Sequence, residues 1–122
     1  MNILLIDDNQ EITDLFETTL SASGHSCRVT NDGKEGLELI KKKESDIVLL
    51  DLAMPKLSGE DILKNLLKDG PIIDYNIYLV TASVVSEKEI KDFINSGVAG
   101  CLRKPLRLDD LLDTLQKHRI QN

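Results

Sequence analysis

Five polar side chains of the sequence could together carry out phosphoryl chemistry. They stand at the ends of short runs rich in apolar residues, and they are Asp7, Asp8, Asp51, Thr81 and Lys104. Three carboxylates in one crevice would repel one another unless they shared a cation. A small set of oxygen ligands favours Mg²⁺, which keeps several waters and is often completed by a phosphate. A carboxylate can also be a nucleophile toward a phosphoryl group, whose charge a cation, an ammonium and a hydroxyl would neutralise.

Each of these groups also has a purely structural explanation. Asp8 or its neighbour Asn9 could cap the first helix, and Thr81 or Ser83 could cap the fourth. Asp51 could be a solvated turn residue, and Lys104 an exposed loop cation. Those explanations treat the groups one at a time. They do not account for all five groups reaching the same edge of one sheet.

The elements that would position these groups alternate between strand and helix. Five runs have the character of strands: Asn2–Asp7, Ser26–Thr30, Asp46–Asp51, Asn76–Thr81 and Gly100–Arg103. The first, third and fourth runs contain near-continuous aliphatic segments, which are typical of strands covered on both faces. The second run, "SCRVT", alternates and contains fewer apolar residues, as expected of an edge strand.

Amphipathic stretches separate the strands. The spacing of one helical face recurs at Ile12, Leu15, Phe16, Thr19 and Leu20, at Ile62, Leu63, Leu66 and Leu67, at Ile90, Phe93 and Ile94, and at Leu108, Leu111, Leu112 and Leu115. A weaker helix is predicted over Gly33–Lys43, with Leu37 and Ile40 facing inward. Glycines at 24, 70 and 97 stand where helices are expected to stop.

This alternation predicts an α/β fold made of residues 1–122 as a single domain. The weak second strand belongs at an edge and the aliphatic first and third strands at the centre. We therefore expect a flavodoxin-like, doubly wound, five-stranded parallel sheet of order 2-1-3-4-5 with five helices on both faces. Sites in such sheets form at the carboxyl ends of the strands, near the switch point between the first and third.

Composition narrows the possible functions. The 122-residue chain carries a formal charge of −6, and an acidic surface repels phosphate backbones, so we expect no direct nucleic-acid binding. Cys27 and Cys101 lack CxxC spacing and are interpreted as reduced thiols of a cytoplasmic protein. The longest apolar runs have only the length of strands, so no membrane insertion is expected.

The sequence resembles the receiver domain of two-component response regulators, including the stand-alone chemotaxis type. The resemblance is carried by "DD" after the first strand, "D" followed by "MP" after the third, "TA" after the fourth and "KP" after the fifth. It spans essentially the whole chain. It implies a phosphoacceptor charged by a histidine kinase or a phosphotransfer protein, acting on an unknown downstream protein target as a monomer or weak dimer.

The resemblance also implies a role for each site residue. Asp51 would be the phospho-acceptor and, with Asp8, a direct ligand of Mg²⁺. Asp7 would act on the metal largely through water, and Ala53 would offer its main-chain carbonyl. The domain would not be an enzyme in the ordinary sense, since it promotes only its own phosphorylation and dephosphorylation.

The remaining implied roles concern switching. Lys104 would pair with Asp51 and then with its phosphoryl group, and Thr81 would turn its hydroxyl toward the phosphate. The Lys104–Pro105 peptide would be cis, an isomer that X–Pro bonds adopt at modest cost. The fourth helix, fifth strand and fifth helix, roughly residues 84–119, would form the surface that partners recognise.

Three positions depart from the family pattern. Cys101 stands where the family usually has Tyr or Phe, so a ring that moves with the switch hydroxyl is missing. Ala53 and Ser83, each two residues after an implied site residue, are small and would leave a phosphoryl group open to water.

Other functions remain as alternatives. A pseudo-receiver would use the same fold as a protein-binding module without phosphorylation, which Cys101 favours slightly and the intact acidic site disfavours. The chain could also be a receiver fragment of a larger regulator with an output domain. A phosphatase is disfavoured because DxDxT is missing at the first strand. "DDNQE" disfavours a flavodoxin, and a P-loop motif is absent.

Overall fold

The structure is a computed structural model that describes residues 1–82 and 85–121. Its strands are β1 Asn2–Ile6, β2 Ser26–Thr30, β3 Ile47–Asp51, β4 Ile77–Thr81 and β5 Gly100–Arg103. Its helices are α1 Gln10–Ala22, α2 Gly33–Lys41, α3 Gly59–Asp69, α4 Glu87–Asn95 and α5 Leu108–Gln121. A short 3-10 helix, Ile72–Tyr75, precedes β4.

The strands form one parallel sheet of order β2-β1-β3-β4-β5, which confirms the predicted topology. The second and fifth strands have the predicted bounds. The first ends one residue earlier than predicted, at Ile6, and the third and fourth each begin one residue later. The carboxyl ends of β1 and β3, which are neighbours in the sheet, therefore lie side by side.

The sheet separates two apolar clusters, because successive side chains of a strand point to opposite faces. Leu4 and Ile6 of β1 pack in one cluster with residues of α2, α3 and α4. Ile3 and Leu5 pack in the other with residues of α1 and α5. Helices thus cover both faces as predicted. Burying each such side chain contributes about 1.5–3 kcal/mol relative to leaving it in water.

Three residues assigned to inward helical faces are exposed instead. Leu15 of α1, Leu67 of α3 and Ile94 of α4 have relative exposures of 62%, 52% and 43%. The apolar stripe on each of these helices is wider than the part that the sheet covers. The spacing of apolar residues along a helix does not show which part of the apolar stripe the sheet covers.

The helix ends show which residues act as caps, confirming one of the structural explanations and contradicting another. Asn9, and not Asp8, caps α1, since its side-chain oxygen accepts from the main-chain N–H of Ile12 at 3.3 Å. Ser86, and not Thr81, caps α4. Ser83 lies outside the described residues. The predicted helix stops are confirmed: Gly70 is the C-cap of α3, and Gly24 and Gly97 follow α1 and α4 with positive φ angles.

Candidate functional site

The carboxyl ends of β1 and β3 bring three carboxylates together. One oxygen from each of Asp7, Asp8 and Asp51 lies within 4.8 Å of the other two. Asp7 and Asp51 are buried, with relative exposures of 3% and 1%, whereas Asp8 is exposed. Asp51 is therefore no solvated turn residue, because it ends a fully buried strand. The sheet order alone accounts for this proximity, since β1 and β3 are hydrogen-bonded neighbours.

Main-chain amides hold the two buried carboxylates. The N–H of Asn9 donates to Oδ1 of Asp7 at 2.9 Å, and the N–H of Ala53 donates to Oδ1 of Asp51 at 3.1 Å. Gly59, at the start of α3, lies directly behind Asp51. A Cβ there would stand 2.8 Å from the main-chain oxygen of Asp51, so only glycine lets the helix approach this closely.

Lys104 brings a positive charge to this cluster from the end of β5. Its Nζ lies 3.2 Å from Oδ2 of Asp51 and 3.8 Å from Oδ2 of Asp7. Its main-chain N–H donates to the carbonyl of Thr81 at 2.7 Å, which fixes the end of β5 against β4. The Lys104–Pro105 peptide is cis, as the resemblance implied. Lys104 is thus no isolated loop cation.

The donor set fits a divalent cation. When all three carboxylates are ionised, the single ammonium of Lys104 leaves two negative charges unbalanced. Burial raises the pKa of Asp7, and the charges of Asp51 and Asp8 raise it further, against the lowering effects of the Asn9 amide and of Lys104. Oδ2 of Asp51 is buried and, within residues 1–82 and 85–121, has an ion pair but no hydrogen bond of acceptable geometry. Such an oxygen is suited to a metal or a phosphorus atom.

Thr81 lies at the end of β4 and is buried, with 1% exposure. Its hydroxyl reaches the carbonyl of Leu102 at 3.5 Å, the outer limit of a hydrogen bond. In the described part of the chain this is the one hydrogen bond of that hydroxyl, so no hydrogen bond joins it to the carboxylates. The Thr81 hydroxyl thus makes a longer hydrogen bond than the carboxylates of Asp7 and Asp51 do.

A second basic residue, which the sequence analysis did not single out, connects β5 to α4. Arg103 donates from Nη1 to the carbonyl of Val85 at 2.8 Å, and its Nη2 lies 3.3 Å from a carboxylate oxygen of Glu87. Cys101, on the same face of β5, is half-buried against the cluster that α4 covers. Burial raises the pKa of its thiol, so the cysteine behaves here as a small apolar residue.

Asn31 and Thr13 are two further residues near the site that the sequence motifs did not indicate. Nδ2 of Asn31 donates to the main-chain carbonyl of Asp7 at 2.7 Å and to the hydroxyl of Thr13 at 3.0 Å. Thr13 is fully buried, and its hydroxyl donates to the carbonyl of Gln10 at 3.1 Å. A signal for Asn31 was present in the sequence, because it directly follows the second strand, at the same edge of the sheet.

An apolar groove of about 580 Å³ borders the acidic cluster between α1 and the loop after β5. Its lining includes Asp7, Ile12, Leu15, Phe16, Lys104 and Leu106. Asp7 and Lys104 belong to both the groove and the site. A molecule that filled the groove would therefore lie beside Asp51.

These features define a class of protein: a doubly wound α/β domain with an acidic cation site and a lysine at its topological switch point. Comparison with known families then specifies the member of this class. Residues 3–116 match the model of the response regulator receiver domain. The chain belongs to this family, and it is a receiver domain of two-component signal transduction.

Individual relatives agree with this assignment. The chain is 33% identical over 118 residues to the aerobic respiration control sensor protein ArcB of Escherichia coli, matching 96% of this chain and 15% of that protein. It is 34% identical over 113 residues to the response regulator MprA of Mycobacterium leprae, matching 92% of this chain and 48% of that protein. The chain thus spans half or less of the length of these relatives.

A solved structure supports the fold across the whole domain. The receiver domain of the Francisella response regulator 1452 superposes with a TM-score of 0.86 at 27% identity, covering 99% of this chain and 98% of that one. The flavodoxin-like fold predicted from the sequence is confirmed. Among the helices of the described residues, none combines the length and apolar character needed to cross a membrane.

Proposed function

We propose that Asp51 is the phospho-acceptor of this receiver domain. A side-chain oxygen of Asp51 would attack the phosphorus atom of a phosphohistidine on a histidine kinase or a phosphotransfer protein. The new P–O bond forms as the P–N bond breaks, and the histidine leaves with the electron pair. The observation that carries this proposal is the buried Oδ2 of Asp51, which has Lys104 at 3.2 Å and no hydrogen-bond partner among the described residues.

The other site residues would act on charge and position. Asp7, Asp8, Asp51 and the main-chain carbonyl of Ala53 would hold Mg²⁺, which when bound supplies positive charge for the phosphoryl oxygens. Lys104 would move from its ion pair with Asp51 to an oxygen of the bound phosphoryl group. The amide of Ala53, which donates to Oδ1 of Asp51, would keep the carboxylate oriented during the attack.

The output of the domain would be read at α4, β5 and α5. The Thr81 hydroxyl, weakly bonded at 3.5 Å, would turn toward the phosphoryl group. Since the N–H of Lys104 donates a hydrogen bond to the carbonyl of Thr81, a shift of β4 would also displace the end of β5. Arg103 would carry it on to the first turn of α4 through Val85 and Glu87. This contact offers a coupling route that does not need the aromatic ring replaced by Cys101.

The phosphodonor protein would dock on the apolar groove beside Asp7 and Lys104. Leu15, at 62% exposure, is a large apolar side chain of that groove that faces solvent. Changing Leu15→Glu should slow phosphorylation by a donor protein that phosphorylates the wild type, while phosphorylation by acetyl phosphate stays unchanged. An equal loss with both donors would contradict this docking site.

Residues 1–122 would form one receiver unit that promotes only its own phosphorylation and dephosphorylation. The unit would work alone or within a longer regulator; the sensor protein and the response regulator that it resembles are both longer than this chain. The same unit without phosphorylation would be a pseudo-receiver, and the test of Asp51 separates the two functions.

The test is incubation with acetyl phosphate and Mg²⁺, followed by intact-mass measurement. We expect a mass gain of one phosphoryl group that is lost in base, requires Mg²⁺ and disappears in Asp51→Asn. Asp46→Asn is the matched control. This aspartate lies directly before β3, at the amino end of the strand that Asp51 ends, and its carboxylate accepts a hydrogen bond from the main-chain N–H of Asn2. An unmodified wild type in the presence of Mg²⁺ would reject the phosphoacceptor role in favour of the pseudo-receiver.

A further inference from the structure

The main chain on both sides of Asp8 is held by hydrogen bonds. The carbonyl that precedes Asp8 belongs to Asp7 and accepts from Nδ2 of Asn31 at 2.7 Å. The amide that follows Asp8 belongs to Asn9 and donates to Oδ1 of Asp7 at 2.9 Å. Because peptide units are planar, these two bonds orient both planes that meet at Asp8. They therefore set the direction in which its side chain leaves the main chain.

The carboxylate of Asp8 depends on this main-chain support. The side chain is exposed, and in the part of the chain that the structure describes no hydrogen bond or ion pair to its carboxylate is recorded. Even so, one of its oxygens lies within 4.8 Å of oxygens of Asp7 and Asp51. The position of this carboxylate against its two neighbours, which repel it, follows from the orientation of the peptides on either side.

Asn31 is itself fixed by a second contact. Its Nδ2 also donates to the hydroxyl of Thr13 at 3.0 Å, so both hydrogens of the amide have acceptors. Thr13 is fully buried in α1, and its hydroxyl donates in turn to the carbonyl of Gln10 at 3.1 Å. The Asn31 side chain thus connects the loop after β2 to the first turn of α1 and to the end of β1. Asn31 lies at the surface, so filling the core does not explain this arrangement.

We propose that Asn31 is a positioning residue of the cation site: its two hydrogen bonds, to the carbonyl of Asp7 and to the hydroxyl of Thr13, hold the Asp7–Asp8 peptide in the orientation that binding of Mg²⁺ requires. This inference rests on the proposed Mg²⁺ site. Mg²⁺ demands near-ideal octahedral geometry and tolerates misplaced ligands poorly, whereas Ca²⁺ accepts variable coordination. Loss of the Asn31 contacts should therefore weaken Mg²⁺ binding more than Ca²⁺ binding.

The test is isothermal titration calorimetry of the purified chain with Mg²⁺ and, separately, with Ca²⁺. In Asn31→Ala we expect the Mg²⁺ dissociation constant to rise about tenfold, the scale found when partners that orient metal ligands are removed. The Ca²⁺ dissociation constant should rise clearly less. Thr13→Val, which removes one of the two acceptors, should have an intermediate effect on Mg²⁺, and Thr13→Ser, which keeps the hydroxyl, should restore wild-type affinity.

Asn65→Ala is the matched control. Asn65 of α3 also donates from Nδ2 to a main-chain carbonyl, that of Asp61 at 3.0 Å, but it lies away from the acidic cluster. The Mg²⁺ affinity of the Asn65→Ala variant should equal that of the wild type. An unchanged Mg²⁺ affinity in Asn31→Ala, equal losses for Mg²⁺ and Ca²⁺, or an equal loss in Asn65→Ala would each overturn the positioning role while the proposed function stands. A wild type that binds no Mg²⁺ would overturn the proposed metal site, and the positioning role with it.

Discussion

The two sides of the crevice are built differently. On the side of β1 and β2, the Asp7 carboxylate, the Asp7 carbonyl and the Thr13 hydroxyl all take part in hydrogen bonds of 2.7 to 3.1 Å. On the side of β4, the Thr81 hydroxyl has, within residues 1–82 and 85–121, a single hydrogen bond of 3.5 Å. Both threonines are almost fully buried, so exposure to water does not explain the difference. The polar groups of one side are held by short hydrogen bonds, whereas the hydroxyl of the other side makes only a long one.

This contrast matches the demands that the proposed function makes on each side. A site for a small cation gains affinity when its ligands are already in place, because no ordering cost is then incurred on binding. A switch needs two arrangements of similar free energy, and a strong hydrogen bond in one of them would prevent switching. The following predictions test whether the two sides differ in this way, from the largest expected effect to the smallest.

Mg²⁺ should have the largest effect. At a Mg²⁺ concentration of about 100 times its dissociation constant, the free energy of unfolding of the wild type should rise by about 2.7 kcal/mol. Urea unfolding with and without Mg²⁺ measures this difference. Asp8→Asn should show almost none of the gain, since it removes a proposed ligand, whereas Asp46→Asn should keep it. A full gain in Asp8→Asn would mean that Mg²⁺ binds elsewhere.

Neutralising Asp7 should stabilise the metal-free protein. Burial and two neighbouring carboxylates raise its pKa in the folded state, so the folded chain disfavours the charged form. Asp7→Asn should therefore raise the free energy of unfolding at neutral pH without Mg²⁺.

The stabilisation expected in Asp7→Asn should depend on pH. Between the ordinary aspartate pKa of 3.8 and the raised folded value, the folded state binds more protons than the unfolded one, so this group makes the wild type less stable as pH rises. The gain in Asp7→Asn should thus appear as pH rises above 3.8 and be complete above the folded pKa. A gain of equal size below pH 3.8 would show that charge is not its cause.

The two buried threonines give a matched comparison of the two sides. Thr13→Val should lower the free energy of unfolding by about 1 kcal/mol, because it breaks two hydrogen bonds of ordinary length. Thr81→Val should change it by less than about 0.5 kcal/mol, since only a long bond is lost. Chemical denaturation of both variants without Mg²⁺ provides the measurement. Equal losses would remove the proposed difference between the two sides.

The smallest effect on stability should come from the contact between β5 and α4. Arg103→Met keeps the aliphatic stem and removes the guanidinium, and its cost should be about 0.5 kcal/mol because the side chain is partly exposed. Hydrogen exchange of the amides in the first turn of α4 should nevertheless become faster. Lys117→Met, which removes an exposed ion pair within α5, is the control and should leave that exchange unchanged. Unchanged exchange in Arg103→Met would exclude the proposed coupling route.

Most of the architecture could be predicted from the sequence, because long aliphatic runs and short connections allow few topologies. The positions of Asp7, Asp8, Asp51 and Lys104 at one edge followed from that topology. Their neighbours were harder to predict. The Asn31 contacts join residues 24 and 18 positions apart in sequence, and an asparagine after a strand is also a common turn residue. The exposure of Leu15 depended on how far the sheet covers α1.

The sequence by itself determined the order of the strands and the set of polar groups at their carboxyl ends, since apolar periodicity and chain connectivity are local properties. Only the tertiary structure decided how tightly each group is held. The 2.7 Å bond from Asn31 to Asp7 and the 3.5 Å bond from Thr81 to Leu102 both join residues on different elements. Such distances depend on how strands and helices pack, and a difference of less than one ångström separates a short hydrogen bond from one at the outer limit of hydrogen bonding.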